Sequence, residues 1–197
     1  MRGFNYKKTV QALNYIAAKY GGTINKMKAI KLIWLSDRLH LRNFGRTITG
    51  DTYFAFKYGP VPSSTRDILE SNSSFLSDEE LDYSSQYLSI ISKRDYSSVG
   101  MPLMKVFSET DISSIDEVVQ TYGKYDQFQL SDISHEFPEW KKWEREFSQK
   151  MGSRFLIDFE DFFKDSTEEN SLFKQDATDL QLIKNLYLRV DDNRTNQ

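Results

Sequence analysis

Apolar residues recur at helical spacing from the start of the chain. Val10, Leu13, Ala17 and Tyr20 stand three, four and three apart, which predicts an amphipathic helix over 6–20, stopped by Gly21 and Gly22. A second helix is predicted from Asn25, a good N-cap, to about Asn43, ahead of Gly45. Its apolar residues, Met27, Ile30, Leu32, Ile33, Trp34, Leu35, Leu39 and Leu41, leave little polar surface over the middle turns. Such a helix touches neighbours on several sides and is expected at the centre of the domain.

The pattern then changes. ITGDTYFAFKYG joins a turn signal to β-favouring aromatics and predicts an extended segment or hairpin over 48–58. GPVP follows. Pro60 and Pro62 fix φ and donate no N–H, and Gly59 tolerates backbone angles that other residues avoid, so the stretch through Val61 reads as a rigid corner. Ser63 or Ser64 can cap a short helix through Leu69, and QYLSIISKRDYSSV reads as one or two short strands.

Asp111 is a candidate cap for a helix carrying Ile112, Ile115, Val118 or Val119, and Tyr122, ending at Gly123. Pro138 suits the first turn of another helix, with Trp140, Trp143, Phe147 and Met151 as its apolar stripe. Residues 165–176 are polar and linker-like. Beyond them Leu180, Ile183, Tyr187 and Val190 mark a last helix over 178–190, widened by Leu182 and Leu186 and capped by Thr178, and 191–197 are expected to be disordered. No internal repeat is visible. The expected class is mainly α (α+β), a compact helical domain around a central hydrophobic helix, with a small β-hairpin element and a C-terminal helix. The expected division is a domain over 1–164, then linker, helix and disordered end over 165–197.

Composition narrows the function. The 197 residues are 39% hydrophobic and 14% aromatic, which suits a single domain with a real core, and they include no cysteine, so disulfides and thiol catalysis are excluded. No window approaches a membrane span and no signal peptide is evident, so a cytoplasmic protein without membrane contact is expected. The net charge of −3 conceals an asymmetry: residues 1–66 carry 12 Lys and Arg against Asp37 and Asp51, whereas 67–197 carry 14 against 27 acids. A basic first third can serve an acidic partner or nucleic acid, or be neutralised by the acidic remainder.

Enzyme signatures are absent. There is no phosphate-binding Gly-rich loop and no nucleophile elbow, and HEFPEW lacks the second histidine of an HExxH zinc site. His40 lies one turn from Asp37, a pairing that could orient an imidazole as a general base, and so the alternative of a small enzyme using Asp37 and His40 stands. Asp37 falls on the apolar stripe of the central helix and must be hydrogen-bonded or paired. Its candidate partners are Arg38, Arg42, Arg46 and the loop N–H groups of TGDT, and a clamp between helix and hairpin is the favoured account. No cofactor and no metal site are expected.

The run KAIKLIWLSDRLHLRNFGRTITGDTYFAFKYGPVPSSTRDIL resembles the Panacea antitoxin domain, the SocA-like family of prokaryotic toxin–antitoxin operons and phages. The likeness lies in an ordered series: a K-L-I-[WY]-L-[SA]-D-R helix, a G-R-x-I-T-G-D turn that contains Asp51, an alanine among aromatics, then Y-G-P-V-P. FSETDISSIDEVVQTYG and LSDISHEFPEW, with Trp140, continue it, so that it covers about 5–150. The resemblance implies an antitoxin that neutralises, by direct contact, a protein toxin encoded in the same operon. Family toxins often attack translation, and some relatives act instead as adaptors that deliver a partner to a protease. Many relatives add a DNA-binding domain; none is expected before residue 5 here, and direct DNA binding is not expected. On this reading Asp37, Asp51, Gly59, Pro60, Val61, Pro62 and Trp140 are structural. The partner would be met by Arg46, Lys57, Tyr58 and Arg66, and by Leu180, Ile183 and Tyr187 of the last helix.

Overall fold

The computed structural model describes residues 3–167 and 171–195. Helix α1 (Tyr6–Lys19) begins where the Asn5 side chain accepts the Lys8 N–H, and strand β1 (Thr23–Asn25) leads straight into helix α2 (Lys26–Phe44). Asn25 caps α2 through the N–H groups of Met27 and Lys28, and Gly45, at φ +67°, ends it. Every residue from Ala29 to Arg42 is buried, so α2 is the axis of the molecule.

Around α2 lie helices α3 (Ser63–Glu70), α4 (Asp78–Tyr87), α5 (Glu109–Tyr122), α6 (Gln127–Ser134), α7 (Pro138–Lys141), α8 (Glu144–Ser148) and α9 (Ala177–Thr195). Two antiparallel sheets flank them. One pairs β1 with β5 (Asp95–Ser98) and β5 with β4 (Leu88–Ile90). The other is a hairpin of β2 (Tyr53–Phe56) and β3 (Gly59–Pro62), with β6 (Arg154–Leu156) on the far side of β2. The class is therefore mainly α with small sheets, as expected from the patterning. Among the described residues no helix is long and apolar enough to cross a membrane.

Several local expectations are corrected. GPVP is itself a strand, β3, and stands at a sheet edge, where the missing N–H groups of Pro60 and Pro62 leave no gap in a ladder. Ser63 and Ser64 lie inside α3; its first turn is capped across space by Asp51, which accepts the N–H groups of Ser64 (2.9 Å) and Thr65 (2.7 Å). Ser108 caps α5, and Asp111 stands three residues in and returns a bond to the Ser108 N–H, a capping box. The helix expected after Pro138 breaks at Lys142 and Trp143 into α7 and α8, and Met151 lies beyond α8, exposed. Asp176, not Thr178, holds the first N–H groups of α9. The backbone stays helical through Thr195, where disorder was expected from 191, while the side chain of Val190 and residues 196–197 lie outside the described residues.

The segment read as a linker is fastened to α2. Arg42, fully buried, donates to the carbonyls of Phe162 (3.0 Å), Lys164 (3.1 Å) and Phe173 (2.9 Å), to Gln175 and to the carboxylate of Asp165 (2.7 Å). Arg38 adds a bond to the Lys164 carbonyl, and its guanidinium lies 4.8 Å from the ring centres of both Phe137 and Phe173. Residues 162–167 and 171–175 are thus a strap drawn across the C-terminal half of α2, with Phe173 buried against it. Helix α9 packs beside the strap. Its Leu180, Ile183 and Tyr187 are half-buried against the core, Tyr187 meeting the rings of Phe159 and Phe163, while Leu182 and Leu186 are 60% and 51% exposed.

Candidate functional site

Helix α2 buries five ionisable side chains, Lys31, Asp37, Arg38, His40 and Arg42, and a buried charge costs several kcal/mol unless it is partnered. Where each finds its partners decides what chemistry is left over.

Asp37 faces the loop before the hairpin. One oxygen accepts the N–H groups of Ile48 (2.5 Å) and Thr49 (3.0 Å), and the other accepts the hydroxyls of Thr49 and Tyr53. Of the partners considered from the sequence, the Thr49 N–H of TGDT is used and the arginines are not, and the Ile48 N–H just before that loop is an addition. Burial raises the Asp37 pKa to about 6, against the pull of its four donors. Thr49 passes the connection on, its hydroxyl oxygen accepting the Asp51 N–H at 3.2 Å. A chain of bonds therefore runs from α2 through Asp37, Thr49 and Asp51 to the first turn of α3.

His40 points elsewhere. Its Nδ1–H donates to the Arg46 carbonyl at 2.8 Å, and Nε2 lies 3.1 Å from the Thr110 hydroxyl and 3.3 Å from Asp111. Burial lowers its pKa to about 4, so the imidazole is neutral in this site. Asp37 and His40 share no hydrogen bond, and the pairing that a general base would need does not form. Arg46 joins the same knot: its guanidinium lies 2.9 Å from Asp111, which also pairs with Lys8 at 2.8 Å. Arg38 meets the buried Glu139 at 2.9 Å.

The hairpin is held through its carbonyls. Those of Phe56, Tyr58 and Pro60 accept, in turn, from Trp140 Nε1 of α7 (2.7 Å), Ser131 of α6 (3.1 Å) and Lys31 of α2 (2.9 Å). Three helices thus fix three alternate residues of the turn. Gly59 sits between them at φ +98°, and a Cβ there would strike Ser134 and Lys31. Pro62 is buried, Val61 half-buried, and Trp140 stacks on His135 at 3.6 Å between ring centres. The corner holds its shape because side chains from α2, α6 and α7 occupy its inner face.

Its outer face opens on a cleft of about 460 Å³. Phe56, Val61, Met27, Ile30 and Leu69 give it an apolar lining, and Tyr58 and Phe128, 56% and 62% exposed, stand at its mouth. Lys31, fully buried, closes its inner end, and Lys26, Arg66, Lys93 and Arg94 surround it, with Glu70 the only acid in the lining.

Of the residues expected from the sequence to meet the partner, Tyr58 and Arg66 come together at this cleft, beside Val61 of the corner. Lys57 is exposed in the turn with its amine 5.6 Å from the Tyr58 ring centre. Arg46 belongs to the Asp111 knot, and Leu180, Ile183 and Tyr187 lie inward on α9, so neither group joins the cleft. Lys31 entered the sequence reading only as the first residue of the K-L-I-[WY]-L-[SA]-D-R motif and within the charge excess of the first third, and Lys93, Arg94 and Phe128 escaped it as site residues. They come from segments far apart in the chain.

The model of the family described as "Antitoxin SocA-like, Panacea domain" matches residues 30–141. That span contains α2 from Ile30, the hairpin, α3 to α7, and the whole cleft lining except Asn25, Lys26 and Met27. No curated protein and no solved structure matches the chain.

Proposed function

We propose that this chain, which belongs to the SocA-like Panacea antitoxin family, is the antitoxin of a toxin–antitoxin pair and neutralises its toxin in the cytoplasm by binding it directly. The toxin is encoded beside it and acts on translation. The observation that carries the reading is the division of labour at the corner. Groups able to do chemistry, Asp37 and His40, are turned inward and consumed by structural hydrogen bonds. What the corner offers outward is an aromatic and basic rim around an apolar cleft, the composition that protein interfaces favour.

The test is co-expression with the product of the adjacent reading frame. Growth should be restored, labelled amino-acid incorporation should recover, and the two chains should co-purify. Rescue that disappears in a host lacking its ATP-dependent proteases, with toxin levels falling only where those proteases are present, would replace direct neutralisation by delivery to a protease. Rescue without any complex, lost in a folded His40→Asn variant, would return the enzymatic alternative.

A further inference from the structure

The cleft beside the corner has features that stability does not require. Lys31 is wholly buried, burial holds its amine well below the usual lysine range, and among the described residues it makes a single hydrogen bond, to the Pro60 carbonyl, with no carboxylate to supply a counter-charge. Around it Lys26, Lys93 and Arg94 form no ion pair among the described residues, although Glu70 and Asp95 lie near enough to Lys26 to act on its charge. Arg66 has only a loose pair with Asp67 (3.5 Å) and a looser one with Glu70 (3.8 Å), and its Nε is buried with no hydrogen bond. Four cations and the buried Lys31 amine, which a bound carboxylate would favour in its charged form, therefore gather around one apolar hollow in a chain whose net charge is negative. The first N–H groups of α2, which could have held an anion, are already taken by Asn25.

We propose that this cleft is a peptide-binding site for an acidic segment of the partner, one that carries a large apolar side chain between carboxylates. The apolar side chain enters between Met27, Ile30, Val61 and Leu69, stacking on Tyr58 and Phe128 at the mouth. One carboxylate reaches Lys31 or Arg66, and the others meet Lys93 and Arg94 at the rim. The volume of about 460 Å³ lies within the usual range for ligand sites, roughly 300–1,000 Å³. A nucleic acid fits less well, because the cleft's surface is mainly apolar and the remainder of the chain is acidic. The proposal rests on the antitoxin reading for the identity of the partner, but not for the chemistry of the site.

The experiment uses the full chain and three labelled probes: a peptide with Leu-Phe flanked on each side by Glu-Asp, the same peptide with Gln-Asn flanks, and a twelve-nucleotide single-stranded RNA. Fluorescence anisotropy should give a dissociation constant for the acidic peptide about tenfold or more below those of the other two. Lys93→Glu with Arg94→Glu, and separately Phe128→Ala, should each weaken it by about tenfold. All three side chains are exposed, so these variants fold. Lys31→Met should weaken acidic binding while leaving the Gln-Asn peptide unchanged. Equal binding of the two peptides, tighter binding of the RNA, or indifference to the rim variants would overturn the proposal. The same rim variants, titrated against the purified toxin, separate the two claims: a toxin complex unaffected by them sinks the cleft and leaves the antitoxin reading. Peptide binding without any toxin complex does the reverse.

Discussion

Substituting Gly59→Ala should destabilise the fold by about 3 kcal/mol, and the amount follows from two separate costs. At φ +98° an L-residue is strained, which costs about 1 kcal/mol or more. The new Cβ would also stand 3.0 Å from Ser134 Cβ and overlap both Ser134 Oγ and Lys31 Nζ, and overpacking of this kind costs about 1–3 kcal/mol. Lys31 is the end of a flexible chain and can move, although it would then give up its bond to the Pro60 carbonyl. Ser134 belongs to α6 and is held by its bond to the Ser131 carbonyl, so it cannot. For a domain of this size the sum corresponds to a melting temperature lower by roughly 6–12 °C in a calorimetric scan. The cycle is completed by Ser134→Ala, which removes the overlapping oxygen. The double variant Gly59→Ala, Ser134→Ala should recover about 1 kcal/mol relative to the sum of the single changes, leaving the strain. A Gly59→Ala protein melting within about 2 °C of wild type, or strict additivity in the cycle, would refute the close approach of α6 to the corner.

Arg42→Met leaves the carbonyls of Phe162 and Phe173 buried without their donor, so it should cost about 3 kcal/mol or more and make 162–176 the first site of limited proteolysis. His40, its pKa lowered to about 4 by burial, stabilises the fold fully above its ordinary value near 6.5, and this is lost as pH falls through 4. Urea titrations should therefore show His40→Asn gaining about 2 kcal/mol on wild type between pH 7 and pH 4.5. Asp37, raised to about 6, acts with the opposite sign, contributing fully below about pH 4 and losing that contribution as pH rises through 6. Truncation after residue 176 removes the contacts of Leu180, Ile183 and Tyr187 and should lower stability by about 3 kcal/mol with or without a partner. An unchanged melting temperature would place α9 outside the folding unit.

What the sequence revealed depended on how local the physics was. The ends of α2 were legible because Asn25 and Gly45 act within one turn of themselves, and its central place was legible because its apolar residues surround it. Of the loop N–H groups that hold Asp37, that of Thr49, twelve residues away, stood among the candidates, and that of Ile48, one residue before TGDT, did not. Helices α4 and α6 were missed, although Ser77 with Glu80 and Asp126 with Gln129 form capping boxes, because few of their residues face the core and the apolar period is faint. Strand β6 is three residues long and exists through pairing with β2, about a hundred positions earlier. The strap was illegible for a similar reason: Arg42 recognises mostly backbone carbonyls, which every residue has, 120 or more positions away. The cleft combines both difficulties, since its basic residues come from α2, α3 and the turn between β4 and β5, and no spacing rule connects the three.

Direct neutralisation can be measured without cells. A cell-free translation reaction assembled from purified components, free of proteases, is poisoned with the purified product of the adjacent reading frame, and this chain is then titrated in. The account predicts that synthesis returns in proportion to added protein and is complete near the stoichiometry of the isolated complex. Rescue of growing cells with no recovery in that reaction would contradict it.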